Sequence, residues 1–458
     1  MIETIRTALR TQEVDLTQTT IKRGLILLSI PMILEMVMEG LFAVADVYFV
    51  GKLGNAAVTA IGLTESLIMI IYSVALGVAT ATSAFVARRI GEGHKFKAGQ
   101  VIMQAVVLAA GLSIIVAIPC WIFAEDILRM MGATQDVLDI GVSYFRILFA
   151  TNIVILLLFI FNGVFRSAGN PAYAMRVLWI ANGINIVLDP VLIFGLGPIP
   201  AFGLAGAAWA TVIGRSIGIA IQLYILFKKQ QVIPAASITL VRDFKLLKTL
   251  LIKSAGATGQ YLIETISWVF LIRVVSIFGK QSVAAYTIVF RIIVFSILPI
   301  WGIAMATATM VGQYLGMQRV PSARQSVILA SIFNLSYLLL MSIAYFIFAR
   351  YLMSLFTQDE EVIRIGAAGI KILCVGYLAF GVGMVMQQAF NGAGDTITPT
   401  WLSAICYIVI QIPLAYFLAV HLDMKTTGVY WSITISHTIL AFLFIYLFQK
   451  NVWVKAKI

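Results

Sequence analysis

Residues 31–51 read PMILEMVMEGLFAVADVYFVG. The stretch is apolar enough to cross a bilayer, yet it carries Glu35, Glu39 and Asp46. Spacings of 4 and 7 put all three on one stripe of a helix. A carboxylate at membrane depth costs about 3 kcal/mol on insertion scales. Three on one face mark a pathway for ions or cations, and the rest of the chain is expected to house and gate it.

Composition agrees with a membrane setting. Of 458 residues, 61% are hydrophobic and 11% charged, against roughly 25% charged in soluble proteins. Apolar runs cover approximately 24–51, 57–86, 101–124, 137–163, 172–196, 203–227, 254–278, 282–312, 326–349, 363–389, 397–420 and 428–449. Most reach the ~20 residues that a spanning helix needs. The fold class is an all-α polytopic membrane protein of twelve spans.

An even number of spans puts both termini on one side. Twenty Lys and Arg fall in the tails and in the loops that share their side, and six in the opposite loops. That count includes Arg166 with the tail-side loops. Basic residues gather on the cytoplasmic side, so both termini are expected there, with the chain in the cell membrane. The same bias explains the net charge of +12 without nucleic acid. The polar N-terminus has no apolar core of a cleavable leader. Cys120, Cys374 and Cys406 lie in apolar runs, odd in number and without metal spacing, and read as packed thiols.

The chain repeats itself at an offset of 225 residues, from about 29 to 169. Ser29 meets Ser254, Glu39 meets Glu264 and Gly54 meets Gly279. GVATATSAFVARRIG from Gly77 lies over GIAMATATMVGQYLG from Gly302. Even Arg146 lies over Lys371. The shift equals six spans, so the halves are parallel repeats about an axis normal to the membrane. The expected lobes are 1–228 and 254–458, joined by a charged cytoplasmic connector at 229–253. A cleft between two six-helix bundles is the expected cargo path, worked by alternating access.

On the repeat, Glu35 pairs with Gln260, Glu39 with Glu264, and Asp46 with Leu271. Glu39, Glu264, Glu35 and Gln260 are the candidates for the cleft. NGINIVLDP places Asn182, Asn185 and Asp189 on one face of the fifth span, before Pro190. A missing N–H there frees a carbonyl. Asp46 and Asp189 share a depth in the outer half of the membrane, and Thr211 of the sixth span adds a hydroxyl. Two close carboxylates in low dielectric do not both stay charged and bare. Either a proton is held or a cation such as Na⁺ neutralises them; helix capping or pairing with a buried base is the structural alternative. Arg146, Arg176, Arg215, Arg273, Arg291 and Lys371 read mostly as structural or snorkelling cations. His94, His421 and His437 show no metal-ligand spacing and read as packed or solvated. No nucleophile motif and no phosphate loop appears, so an enzyme and an ATP-driven pump are disfavoured, and no cofactor is expected.

At these residues the chain resembles the multidrug and toxic compound extrusion (MATE) family. DVYFVGKLG at 46–54, the paired ATATSAFVARRIGEG and ATATMVGQYLG, NGVFRSAGNP, NIVLDPVLIFGLG and GLAGAAWAT carry the resemblance. It implies a twelve-helix antiporter, a monomer, that exports organic, mostly cationic small molecules in exchange for H⁺ or Na⁺. The DinF-type pattern implies an N-lobe ion site at Asp46, Asn185, Asp189 and Thr211, with Asn182 beside it. The NorM-type pattern implies a C-lobe pair, of which Glu264 is present and Phe380 stands where the second acid belongs. The N-lobe is therefore the expected coupling site. A rival from the same superfamily, a lipid-linked oligosaccharide flippase, would line its cleft with cations rather than acids.

Overall fold

A computed structural model describes residues 2–10, 14–229, 233–239 and 243–456. The spanning helices are α1 (Ile21–Gly51), α2 (Asn55–Gly91), α3 (Lys95–Ile122), α4 (Gln135–Ala150 and Asn152–Ser167), α5 (Pro171–Phe194) and α6 (Leu204–Tyr224). The second set is α7 (Phe244–Ser276), α8 (Lys280–Gly316), α9 (Val320–Ser354), α10 (Glu360–Ala393), α11 (Ile397–His421) and α12 (Lys425–Gln449). The two halves of α4 meet at Thr151 with a bend of 44°. Stretches of α11, Ala404–Gln411 and Phe417–His421, are wound as π-helix.

Ten of these helices are long and apolar enough to span, and the bent pair of α4 makes an eleventh. The twelfth, α7, is 33 residues long but punctuated by Gln260, Glu264 and Arg273. Its polar face needs protein rather than lipid around it. The architecture is the expected one of twelve helices in two parallel six-helix bundles.

The apolar side chains gather in three cores. One core joins α2, α3, α4 and α5 through Phe85, Ile102, Phe145 and Leu178. The second set of helices holds two cores. One, at the end where both tails lie, contains Met310, Tyr314, Phe390 and Phe444. The other, at the opposite end, contains Tyr286, Tyr345, Met353 and Tyr430. The tail-side core also takes in Leu25, Leu28 and Met32 of α1 and Leu16 before it. The first span therefore stitches one lobe to the other.

The lobes are in backbone contact along the tail side. A Cβ on Gly77 of α2 would stand 2.1 Å from Thr258 Oγ1 and 2.6 Å from its backbone nitrogen. One on Gly91 would stand 2.1 Å from the Gln313 carbonyl of α8. Gln313 also donates through Nε2 to the Ser167 carbonyl at 2.8 Å, and Thr80 meets the Tyr261 hydroxyl at 3.4 Å. Beyond Gly40, toward the opposite face, Leu41, Val44, Val47 and Tyr48 of α1 are exposed. The close backbone contacts that shut the seam lie toward the tail side.

Two expectations change. Arg166, counted with the loops, lies in the second half of α4 and is buried, because its guanidinium reaches a carboxylate inside the bundle. The connector is shorter than 229–253: α7 starts at Phe244, where Asp243 caps it by accepting from the Leu246 N–H at 2.9 Å. Residues 230–232 and 240–242 of the connector lie outside the described residues.

Candidate functional site

The acid stripe of α1 is divided by its neighbours. Glu35 is 1% exposed and its Oε1 accepts from Arg166 Nη1 at 2.6 Å. One turn on, Glu39 is about a third exposed, with side-chain exposure of 32%. Its Oε2 accepts from Asn182 Nδ2 at 3.0 Å, and its Oε1 lies 3.9 Å from Arg215 Nη2. Two turns further, Asp46 is partly buried and within electrostatic reach of Glu65, Arg215 and Asp189.

The next layer of the N-lobe is contributed by α5 and α6. Asn185 donates from Nδ2 to Thr211 Oγ1 at 3.0 Å. Its Oδ1 is buried without a partner among the described residues. Asp189, one turn along α5, is fully buried, and both its carboxylate oxygens lack a partner among the described residues. A buried unpaired carboxylate is costly, so this arrangement calls for a positive charge or a proton. The unpartnered atoms are all hard oxygens, the donors that alkali and alkaline-earth cations take. Among the described residues no three His, Cys, Asp or Glu side chains converge on a metal site.

Glu264 lies midway along α7 in the C-lobe. It borders a cavity of about 180 Å³ inside α7, α8, α10, α11 and α12, and it is the one acid on its wall. Trp268, Phe290, Phe380, Tyr407 and His437 supply the aromatic surface. The His437 ring sits 5.1 Å from that of Phe380 and 5.2 Å from that of Tyr407. Its Nδ1 donates to the Ile433 carbonyl at 2.8 Å. Gln387 Nε2 approaches Glu264 Oε1 at 3.4 Å. One carboxylate among aromatic faces is the chemistry that recognises an organic cation.

Three candidates sit elsewhere than expected. Glu35 is outside the cleft, because a buried guanidinium claims it. Gln260 is outside it too: fully buried, it donates to Asn391 Oδ1 at 3.1 Å and to the Thr396 carbonyl at 2.9 Å. Its own Oε1 accepts from Gln387 at 3.1 Å. Asn182 turns to Glu39 rather than to the oxygens around Asp189. Sequence reasoning also missed residues. Tyr72 of α2 accepts from Arg215 at 2.7 Å, and His437, read as packed or solvated, faces the same cavity as Glu264. The signal for the first was available: Glu65 and Tyr72 are seven apart, on one face of α2. The aromatic wall had none, since it is assembled from several helices.

Comparison with known proteins follows the same lines. A sequence profile described as MatE matches the chain twice, over residues 31–191 and 257–417, once in each half. The probable multidrug resistance protein YoeA of Bacillus subtilis (strain 168) is 25% identical over 463 residues, covering 100% of this chain and 99% of that one. The FAD transporter of Shewanella oneidensis is 26% identical over 395 residues, with coverage of 86% and 87%. A solved structure described as the outward-facing conformation of a multidrug resistance MATE family transporter of the MOP superfamily superimposes with a TM-score of 0.90. It is 27% identical, with coverage of 97% of this chain and 99% of that one.

Proposed function

Because the chain belongs to the MatE family of membrane transporters, we propose that it is an ion-coupled antiporter that exports organic cations. The observation that carries this reading is Asp189. Its two oxygens and Asn185 Oδ1 are buried without partners among the described residues, beside Asp46 and Thr211. Such a group holds H⁺ or Na⁺ in one state and must release it in another, which is what coupling requires.

Asp46, Asn185, Asp189 and Thr211 form the ion site, following the DinF-type pattern. Cargo binds at Glu39 and in the aromatic cavity of Glu264. With the basic tail side in the cytoplasm, the shut seam is the inner one and the cleft opens outward. The protein works as a monomer in the cell membrane, and its lobes rock about the seam to alternate access.

The test is ethidium transport into inverted vesicles, with H⁺ and Na⁺ gradients imposed separately. Wild type is expected to concentrate the dye under at least one gradient, and Asp46→Asn to lose that gradient dependence while staying folded. Flavin adenine dinucleotide, the cargo named for the Shewanella relative, is the comparator. Uphill transport by Asp46→Asn overturns the coupling assignment, and transport of the flavin but not of ethidium overturns the cargo class.

A further inference from the structure

Two glutamates one turn apart on α1 each face a buried arginine, and the two pairs differ. Glu35 and Arg166 close at 2.6 Å with both partners buried. Charge-assisted hydrogen bonds of this kind run about 2.7–2.9 Å, so that pair is tight. Glu39 and Arg215 stand at 3.9 Å, and Glu39 remains 32% exposed while Arg215 is 5% exposed. The loose pair is the one beside the cleft.

Arg215 is anchored from behind. Its Nη2 donates to the Tyr72 hydroxyl at 2.7 Å. Its guanidinium lies over the rings of Tyr72 at 5.5 Å and Phe42 at 5.8 Å. Its Nη1 is buried with no partner among the described residues. Guanidinium keeps its charge at any physiological pH, so the cluster contains one permanent cation with a spare donor. Asp46 follows Glu39 two turns along the same stripe of α1. The tethered positive charge thus stands on the helix face that carries both acids.

We propose that Arg215 is a tethered counter-ion shared between Glu39 and Asp46, and that an organic cation binding at Glu39 displaces the guanidinium toward Asp46, where it expels the coupling ion. Charge is conserved at each stage, one monovalent cation for another. Without cargo, Arg215 neutralises Glu39, and a single H⁺ or Na⁺ is shared by Asp46 and Asp189. With cargo, the organic cation takes Glu39, Arg215 takes the place of the departing ion beside Asp46, and the net charge on the three acids is the same in both states. Cargo and coupling ion then exclude each other through a side chain rather than through one shared site. Cargo must outcompete an arginine, which favours cations able to use the aromatic faces of Phe42 and Tyr72 as well as charge.

The inference rests on the proposed exchange of organic cations for ions, and the test separates the two. Purified protein in nanodiscs is titrated with tetraphenylphosphonium at low and at high concentration of the ion identified in the vesicle assay. Wild type is expected to bind more weakly at high ion. In Arg215→Gln the competitor at Glu39 is gone, so affinity should rise about tenfold, and the antagonism by ion should shrink to under about twofold. Arg215→Lys keeps the charge and should keep the antagonism. Tyr72→Phe removes the anchor but not the charge, so the guanidinium settles on Glu39 and affinity should fall at least threefold; this variant serves if Arg215→Gln does not fold. Unchanged or weaker binding in Arg215→Gln, or unchanged or tighter binding in Tyr72→Phe, overturns the counter-ion role. Absence of any tetraphenylphosphonium binding or ion antagonism in wild type overturns the cation-exchange reading and this inference with it.

Discussion

The buried pair of Glu35 and Arg166 allows a worked prediction. At 2.6 Å the attraction is about 6 kcal/mol at an effective dielectric of ~20. Removing two ions from water costs several kcal/mol each, so the pair as a whole contributes little net stability. Removing one partner is different, because it strands a charge. Arg166→Met leaves Glu35, 1% exposed, alone among apolar groups, and should cost about 3–5 kcal/mol. Glu35→Gln leaves Arg166 without its counter-charge, but Arg166 borders a small cavity of about 40 Å³ that Thr80, Tyr261 and Gln388 also line. A water molecule there can solvate it, so the cost should fall near 2–3 kcal/mol. The double variant Glu35→Gln with Arg166→Met strands no charge and leaves only an unpaired amide, so it should lie within about 1–3 kcal/mol of wild type. Reversible unfolding in mixed detergent micelles measures all four corners of this cycle. Single variants costing under about 1 kcal/mol, or a double variant costing the sum of the singles, would refute a closed buried pair.

Three further outcomes are expected. Asp189→Asn removes an unpaired buried charge, so it should raise the melting temperature while abolishing gradient-driven efflux. It should also erase the stabilisation that the coupling ion gives wild type, about 1.4 kcal/mol per tenfold ion above its dissociation constant; a variant that still responds to the ion would place the site elsewhere. Gly77→Val cannot close the seam, because even a Cβ would fall 2.1 Å from Thr258 Oγ1. Spin-label distances across the tail side should lengthen, and wild-type distances would show that the lobes do not meet there. Leu16 is 3% exposed in the tail-side core, while its neighbour Val14 donates its N–H to the Gly169 carbonyl at 2.9 Å. Leu16→Asp should therefore loosen the seam and raise labelling of cysteines placed along it; unaltered labelling would count against a strap across the lobes.

The spans and the repeat were legible because a bilayer demands long apolar segments and a duplicated bundle carries its register in the sequence. The N-lobe oxygens were legible in the same way, since Asn185 and Asp189 share a helix face and Thr211 lies on the helix that follows. What was hidden is the choice of partner. Helical spacing places Glu35 and Glu39 on one stripe, but which arginine each meets depends on how α4 and α6 pack against α1. Arg166 looked like a loop residue because it lies near the end of an apolar run; its burial depends on a carboxylate 131 residues away. Gln260 aligned with an acid and so suggested the cleft, yet Asn391 and Thr396 absorb its hydrogen bonds. The aromatic wall around Glu264 draws single residues from several helices, and no spacing announces it.

The polarity of α7 bears on how the protein is made. Gln260 finds Asn391 only 131 residues later in the chain, which at 5–20 residues per second is roughly 7–26 s of synthesis. During that interval a helix with Gln260, Glu264 and Arg273 must stay in the insertion machinery or lean on the finished first lobe. If α7 failed to insert, every later span would enter the membrane upside down. The close backbone approach of the first lobe to α7 at Gly77 and Thr258 offers that helix a protein surface for its polar face.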